Sequence, residues 1–335
     1  MKDVLATIEQ WFAQGSRVAT AVVVETERST PRPPGAVFAV SDAGEVAGSV
    51  SGGCIEGAVY QEAREVLAGG PPRLRSYGIT DAQALEVGLP CGGTVHVFVD
   101  LLDPDLFAEL AEAIRAERPV ALEIALDAAV PGRARLVEAD AGGGAETAIV
   151  EVEGRRVFVA SYAPRPRMYV FGATAHGAAV ARLGRFLGYR VTVCDARARF
   201  VTAERFPHAD ELAAEWPDRF LAGAQVDERT AVVVLTHDHK FDVPLLQEAL
   251  ASPAGYIGAL GSRRTTAERA ELLREAGVAD EDIERIHAPI GLSIGARSPE
   301  EIAIAIAAEL VSVRSVRRSP SDGGPRRRAH LVARD

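Results

Sequence analysis

The chain has 335 residues, enough for two domains of ordinary size, each with its own buried core. Its 37 Lys+Arg stand against 47 Asp+Glu, a formal charge of −10, with 47% hydrophobic and 25% charged residues. That composition excludes disorder as the main state. It also excludes general nucleic-acid binding, which needs a basic face to displace counterions from phosphates. No apolar run approaches the roughly 20 residues that cross a bilayer, and MKDVLATIEQWF at the start lacks the apolar stretch of a signal peptide. The expectation is a cytoplasmic protein with neither nucleic acid nor membrane as partner. Three cysteines, Cys54, Cys91 and Cys194, are an odd number without CxxC spacing, which argues against a disulfide scaffold.

In chain order, Val18 to Glu25 is a β-branched run that reads as a buried strand. The proline-rich segment 29–35 is a loop, and Ala36 to Val40 resumes a strand before the turn at Asp42, Ala43 and Gly44. After Ser51, Gly52, Gly53 and Cys54, the apolar residues Ile55, Val59, Ala63, Val66 and Leu67 keep helical spacing. Gly69, Gly70 and two prolines end that helix. Cys91, Gly92 and Gly93 then lead into a strand from Thr94 to Leu102. A helix near 105–117 and strand-like runs near 120–126 and 147–160 follow. Pro164, Arg165 and Pro166 read as a hinge.

From residue 167 strands and helices alternate: 167–172, 189–195, 231–235 and 256–260 are strands, each followed by a polar turn and a helix. Such alternation implies a parallel sheet covered on both faces. Ser298, Pro299 and Glu301 start the last helix with a capping box. The expected fold class is α/β: a small N-terminal α/β domain (1–102), a connecting segment (103–166) and a Rossmann-like doubly wound domain (167–315). An Arg-rich tail, 316–335, reads as disordered.

Four segments carry chemistry. Gly172, Ala173, Thr174, Ala175, His176 and Gly177 hold the first and third glycines of a dinucleotide turn. Asp195 lies 23 residues past Gly172, where an acid usually bonds a ribose hydroxyl, and Arg197 beside it suits a 2′-phosphate. The second glycine is replaced by Thr174, whose side chain crowds a pyrophosphate. Ser51, Gly52, Gly53 and Cys54, with Cys91, Gly92 and Gly93, place two thiols beside paired glycines. Such glycines let backbone N–H groups converge on an anion, and a helix N-terminus favours a thiolate. The plainer reading is two small core cysteines. Thr236, His237, Asp238, His239, Lys240, Phe241 and Asp242 follow a strand of the second domain, where ligands bind. His237, His239 and Asp242 are weak metal-ligand candidates beside the plainer reading of hydrogen-bonded or solvated side chains. Gly261, Ser262 and Arg263 open a helix and make either a phosphate cradle or a solvated cap.

Taken in this order, the motifs resemble the XdhC/CoxI family, accessory proteins of xanthine dehydrogenase and related molybdenum hydroxylases. The resemblance rests on GSVSGGCIE at 48–56, PCGG at 90–93, VCDAR at 193–197, THDHKFD at 236–242, YIGALGSRR at 256–264, APIGL at 288–292 and RSPEEIA at 297–303. Many members have glycine where this chain has Thr174. The resemblance implies a homodimeric chaperone that binds and protects molybdenum cofactor, as molybdopterin or its cytidine dinucleotide. It implies help with sulfuration by a cysteine desulfurase and insertion into a molybdenum hydroxylase client. Cys54 and Cys91 would then handle sulfur or molybdenum, with the glycine-rich turns holding phosphates. Two alternatives stand beside this one: an NAD(P)-dependent oxidoreductase built on the second domain, and a scaffold that bridges its partners without holding cofactor.

Overall fold

The structure is a computed structural model that describes residues 1–78, 93–126, 134–139, 147–236 and 238–317. The chain divides into two compact units, Met1–Pro164 and Arg165–Asp335. Segment 103–164 therefore shares a unit, and a core, with the first hundred residues.

In the first unit, α1 (Leu5–Ala13) precedes β1 (Val18–Glu27), β2 (Val37–Ser41) and β3 (Val46–Gly48). Next come α2 (Glu56–Leu67), β4 (Arg73–Tyr77), β5 (Thr94–Leu101) and α3 (Pro104–Arg115). The unit closes with β6 (Val120–Ala125), β7 (Ala134–Glu138), β8 (Ala148–Val152) and β9 (Arg155–Tyr162). β3-β2-β1-β5-β4 form one antiparallel sheet and β7-β6-β9-β8 a second. The run VATAVVV in β1 lacks polar alternation because both of its faces are covered. Ala19, Ala21 and Val23 pack with Val59, Ala63, Val66 and Leu67 of α2, while Val18, Val22 and Val24 share a core with Ile8, Trp11, Phe107, Leu122 and Phe158.

The second unit begins with β10 (Arg167–Phe171), α4 (Ala175–Phe186), β11 (Arg190–Cys194), β12 (Glu211–Ala213) and α5 (Pro217–Gly223). It continues through β13 (Ala231–Val234), α6 (His239–Ala251), β14 (Tyr256–Ala259) and α7 (Arg263–Glu275), then α8 (Asp280–Ile283), β15 (Ile286–His287) and α9 (Pro299–Arg317). All six strands are parallel in the order β12-β11-β10-β13-β14-β15. Numbered within the unit this is 3-2-1-4-5-6, the Rossmann order, whose direction reverses beside β10. Met168, Val170, Val191 and Val233 pack under α4 and α9 on one face. Phe171, Cys194, Val232 and Val234 pack under α5, α6 and α7 on the other. The doubly wound sheet expected from the alternation is therefore present.

The capping box at Ser298 forms as expected: Ser298 Oγ accepts from Glu301 N at 3.2 Å, and Glu301 Oε2 accepts from Ser298 N at 3.0 Å. The helix it starts runs to Arg317, two residues into the segment expected to be a tail. Among the described residues no helix is long and apolar enough to cross a membrane.

Candidate functional site

The ends of β10, β11 and β13 meet at the switch point of the second sheet, where ligands of this fold bind. A cleft of about 340 Å³ opens there. Thr174, Asp195, Arg197, Pro217, Thr236, Asp238 and Phe241 line it. Phe241 also lies against Trp216, with ring centroids 5.1 Å apart, and Lys240 Nζ sits 4.9 Å from the Trp216 ring centroid.

Gly172 and Gly177 both do the structural work of a Rossmann turn. Gly172 leaves β10 with φ +120°, and a Cβ on Gly177 would stand 2.4 Å from the Gly172 carbonyl oxygen. Thr174 caps α4, its Oγ1 accepting from Gly177 N at 3.2 Å. One amide at the start of α4 is therefore satisfied by the residue that stands in place of the second glycine.

Asp195, at the end of β11, is almost wholly buried. Its Oδ2 accepts from Ala173 N and Arg197 Nη2, each at 2.8 Å. Its Oδ1 accepts from Arg197 N and Arg197 Nε, each at 2.9 Å. Burial works to raise its pKa, but the Arg197 guanidinium and these amides outweigh burial and hold the carboxyl below its ordinary value.

Asp238 caps α6 by accepting from Lys240 N at 3.0 Å. Asp242 is fully buried, its Oδ2 bonded to Arg269 Nη2 at 2.8 Å and its Oδ1 to the Thr236 hydroxyl. That carboxylate is engaged inside the protein, and no group of three His, Cys, Asp or Glu suited to a metal occurs among the described residues. His239 is half-buried, and His237 lies outside the described residues. Gly261, Ser262 and Arg263 are not among the residues that line the cleft. Ser262 caps α7 through Thr265 N at 3.1 Å, and Arg263 is exposed.

In the first unit, the loop before α2 is organised by Glu56, a residue that is not among the site candidates read from the sequence. Glu56 Oε1 accepts from Ser49 Oγ at 2.7 Å, Ser51 N at 2.9 Å and Val50 N at 3.2 Å. Its Oε2 accepts from Gly53 N at 2.8 Å and from the Ser51 hydroxyl. The amides expected to converge on a bound anion thus converge on Glu56, while Gly52 N bonds Ser49 Oγ at 2.8 Å. Burial pushes the Glu56 carboxyl up, yet the hydrogen bonds from Ser51 and Ser49 prevail and bring its pKa down to about 2. An acid three residues past Gly53 is the available signal, since such spacing returns a side chain to loop amides.

Cys54 sits one residue before Ile55, the cap of α2, half-buried against the core beneath that helix. Cys194 is fully buried and bonds the Glu215 carbonyl, and burial pushes its thiol up to about 12. Gly93 is buried where a Cβ would stand 2.3 Å from the Ser29 carbonyl oxygen, so close backbone approach requires glycine there. Cys91 and Gly92 lie outside the described residues.

Two family models match this chain. The XdhC Rossmann domain matches residues 168–310, which contain the cleft, and the XdhC and CoxI family model matches residues 11–78, which contain the Glu56 loop. The chain belongs to the XdhC/CoxI family. Together the two matches take in more than half of it.

Three relatives of this XdhC/CoxI chain span nearly its whole length. An Escherichia coli (strain K12) protein named molybdenum cofactor insertion chaperone PaoD is 29% identical over 318 residues, 93% of this chain and 88% of that one. A Bacillus subtilis (strain 168) protein named as a probable xanthine dehydrogenase subunit is 27% identical over 313 residues, 88% of this chain and 92% of that one. The crystal structure of a xanthine dehydrogenase from Bacillus halodurans superposes with a TM-score of 0.75 at 25% identity, covering 96% of this chain and 98% of that chain.

Proposed function

We propose that this XdhC/CoxI protein binds molybdenum cofactor as cargo and inserts it into a molybdenum hydroxylase of the xanthine dehydrogenase type. The observation that carries the reading is the cleft at the ends of β10, β11 and β13, which joins a guanidinium to apolar faces. A pterin is flat, and Phe241 and Pro217 offer it apolar contact, while Arg197 offers its phosphate a forked partner. The bound cargo supplies molybdenum held by a dithiolene, and the walls of the cleft shield that group from water. The likeness to PaoD supports the same reading.

Cys54 is the thiol we assign to sulfur handling, with Cys91 as the second candidate. As a thiolate, Cys54 takes the terminal sulfur of a persulfide on a cysteine desulfurase. A new Cys54 persulfide forms and the desulfurase thiolate leaves, so no further oxidant is needed. Glu56 shapes the loop that presents this thiol. The protein works in this reading as a cytoplasmic homodimer, and its cargo is molybdopterin or the cytidine dinucleotide form.

The test is direct. The full chain, purified from a molybdenum-replete host, is expected to carry molybdenum and pterin and to restore activity to an apo-hydroxylase. Metal and pterin at the level of an unrelated control protein, with no activation, would sink the chaperone reading.

The Rossmann order and Asp195 are what favour the second reading, an NAD(P)-dependent oxidoreductase. Against it stand Thr174 in the turn and the internal bonds of Asp195.

A further inference from the structure

In a dinucleotide site on this fold, the acid at the end of the second strand accepts from a ribose diol, so it needs free lone pairs. Asp195 has none to spare. A carboxylate offers about four acceptor positions, and Asp195 already receives an N–H from Ala173 and three from Arg197, all within 2.9 Å. Its side chain is 5% exposed. A ribose hydroxyl would have to displace charge-assisted bonds to be recognised there.

Arg197 is the opposite case. Its Nε–Nη2 edge is locked on Asp195, and its Cζ sits 4.9 Å from the Phe200 ring centroid. The side chain is 55% exposed and belongs to the cleft wall. The other edge, Nη1 with the second Nη2 hydrogen, bonds nothing among the described residues. A guanidinium fixed along one edge and stacked on one face loses little rotamer freedom when its remaining edge takes a forked contact.

We infer that the cleft recognises a phosphomonoester at the end of β11 through Arg197, and does not recognise an unmodified ribose diol there. This deepens the chaperone reading, on which it rests for the identity of the natural ligand, by naming the group that is held when the cargo is molybdopterin, whose phosphate is a monoester where the cytidine dinucleotide form has a pyrophosphate. A pterin with a side-chain phosphate and a nucleotide with a ribose phosphate share that chemistry. Removing the Arg197 guanidinium frees two acceptor positions on Asp195, so the same substitution that weakens phosphate binding admits a diol.

Calorimetry on the full chain tests this with two matched pairs: NADP⁺ against NAD⁺, and 6-hydroxymethylpterin phosphate against 6-hydroxymethylpterin. The phosphorylated member of whichever pair binds should bind at least about tenfold tighter, one forked charge-assisted contact being the difference. Which pair binds separates the nucleotide source from the pterin source. Arg197→Gln should abolish that preference and leave the unphosphorylated member bound as well or better. Arg197→Lys keeps the charge without the fork, should retain only part of the preference, and serves should the Gln variant fail to fold. Equal affinity within a pair, tighter NAD⁺ than NADP⁺, an Arg197→Gln or Arg197→Lys variant with undiminished preference, or no binding of either phosphorylated compound overturns the inference. Molybdenum and pterin content of the purified chain keeps the two readings apart. Cofactor without a phosphate preference overturns this inference alone, and a preference without cofactor upholds it while the chaperone reading fails.

Discussion

Arg269 and Asp242 meet inside the second unit at 2.8 Å, with 2% and 0% of their side chains exposed. The pair ties α7 to the start of α6, and Arg269 Nη2 also donates to the Leu260 carbonyl at 3.0 Å, holding the chain just past β14. Among the described residues Nε and Nη1 of Arg269 have no hydrogen-bond partner, and Asp242 is the carboxylate paired with this buried cation. Removing one member of such a pair costs about 3–5 kcal/mol, because the other charge stays buried. Asp242→Asn is therefore expected to lower the unfolding free energy by that order in a denaturant titration. Asp242→Leu combined with Arg269→Met should recover most of the loss. A single substitution that costs less than about 1 kcal/mol would show the pair to be dispensable.

Glu56 makes a pH-dependent contribution. Its pKa of about 2 in the folded protein lies below the ordinary 4.5, so the contribution is complete above about 4.5 and is lost as the pH falls toward 2. In Glu56→Gln the amide NH₂ would face another donor at Gly53 N or Ser51 N. The substitution should cost about 1–2 kcal/mol near neutral pH and flatten the fall in melting temperature on acidification. Parallel acid profiles for parent and variant would contradict this.

Thiol labelling separates the two described cysteines. Cys194 is fully buried with its pKa pushed up to about 12, so it should label only as the protein unfolds. Cys54 is half-buried and should label in the native state. Peptide mapping after a brief exposure to iodoacetamide reads the order, and Cys194 labelling first would refute it. Cys54→Ala should change stability by about 1 kcal/mol or less while cofactor content and client activation fall far more. A Cys54→Ala protein that loads cofactor and activates its client normally would leave Cys54 a packing residue.

Asp100 works in the other direction. It lines a cavity of about 560 Å³ in the first unit with Val22, Phe98, Leu122 and Ile124, and burial raises its pKa to about 6 despite a 2.7 Å bond from Leu101 N. A raised carboxyl favours the fold while protonated: its contribution is complete below the ordinary 3.8 and is lost as pH rises through about 6. Asp100→Asn should therefore stabilise the protein at pH 7 to 8 by about 1–2 kcal/mol. The gain should shrink toward pH 4, and a variant less stable than the parent at pH 7.5 would rule this out.

Much of this was legible in the residues themselves. The run from Val18 onward, the capping box at Ser298 and the alternation after residue 167 report local burial and local hydrogen bonding, which neighbouring residues largely settle. Gly172 and Gly177 announced a strand-to-helix turn because no other residue tolerates that approach. The family, too, was readable from motif order alone.

Tertiary structure decided the rest. Strands such as β7 and β12 carry weak patterns of their own and form because a partner strand covers them. The role of Glu56 depends on a loop that folds five donors onto one carboxylate. Asp195 stands where a ribose acceptor belongs, yet its lone pairs are taken by Arg197 and Ala173. Spacing places an acid at the end of a strand; which donors saturate it depends on side chains and amides converging in three dimensions, and spacing carries no record of that.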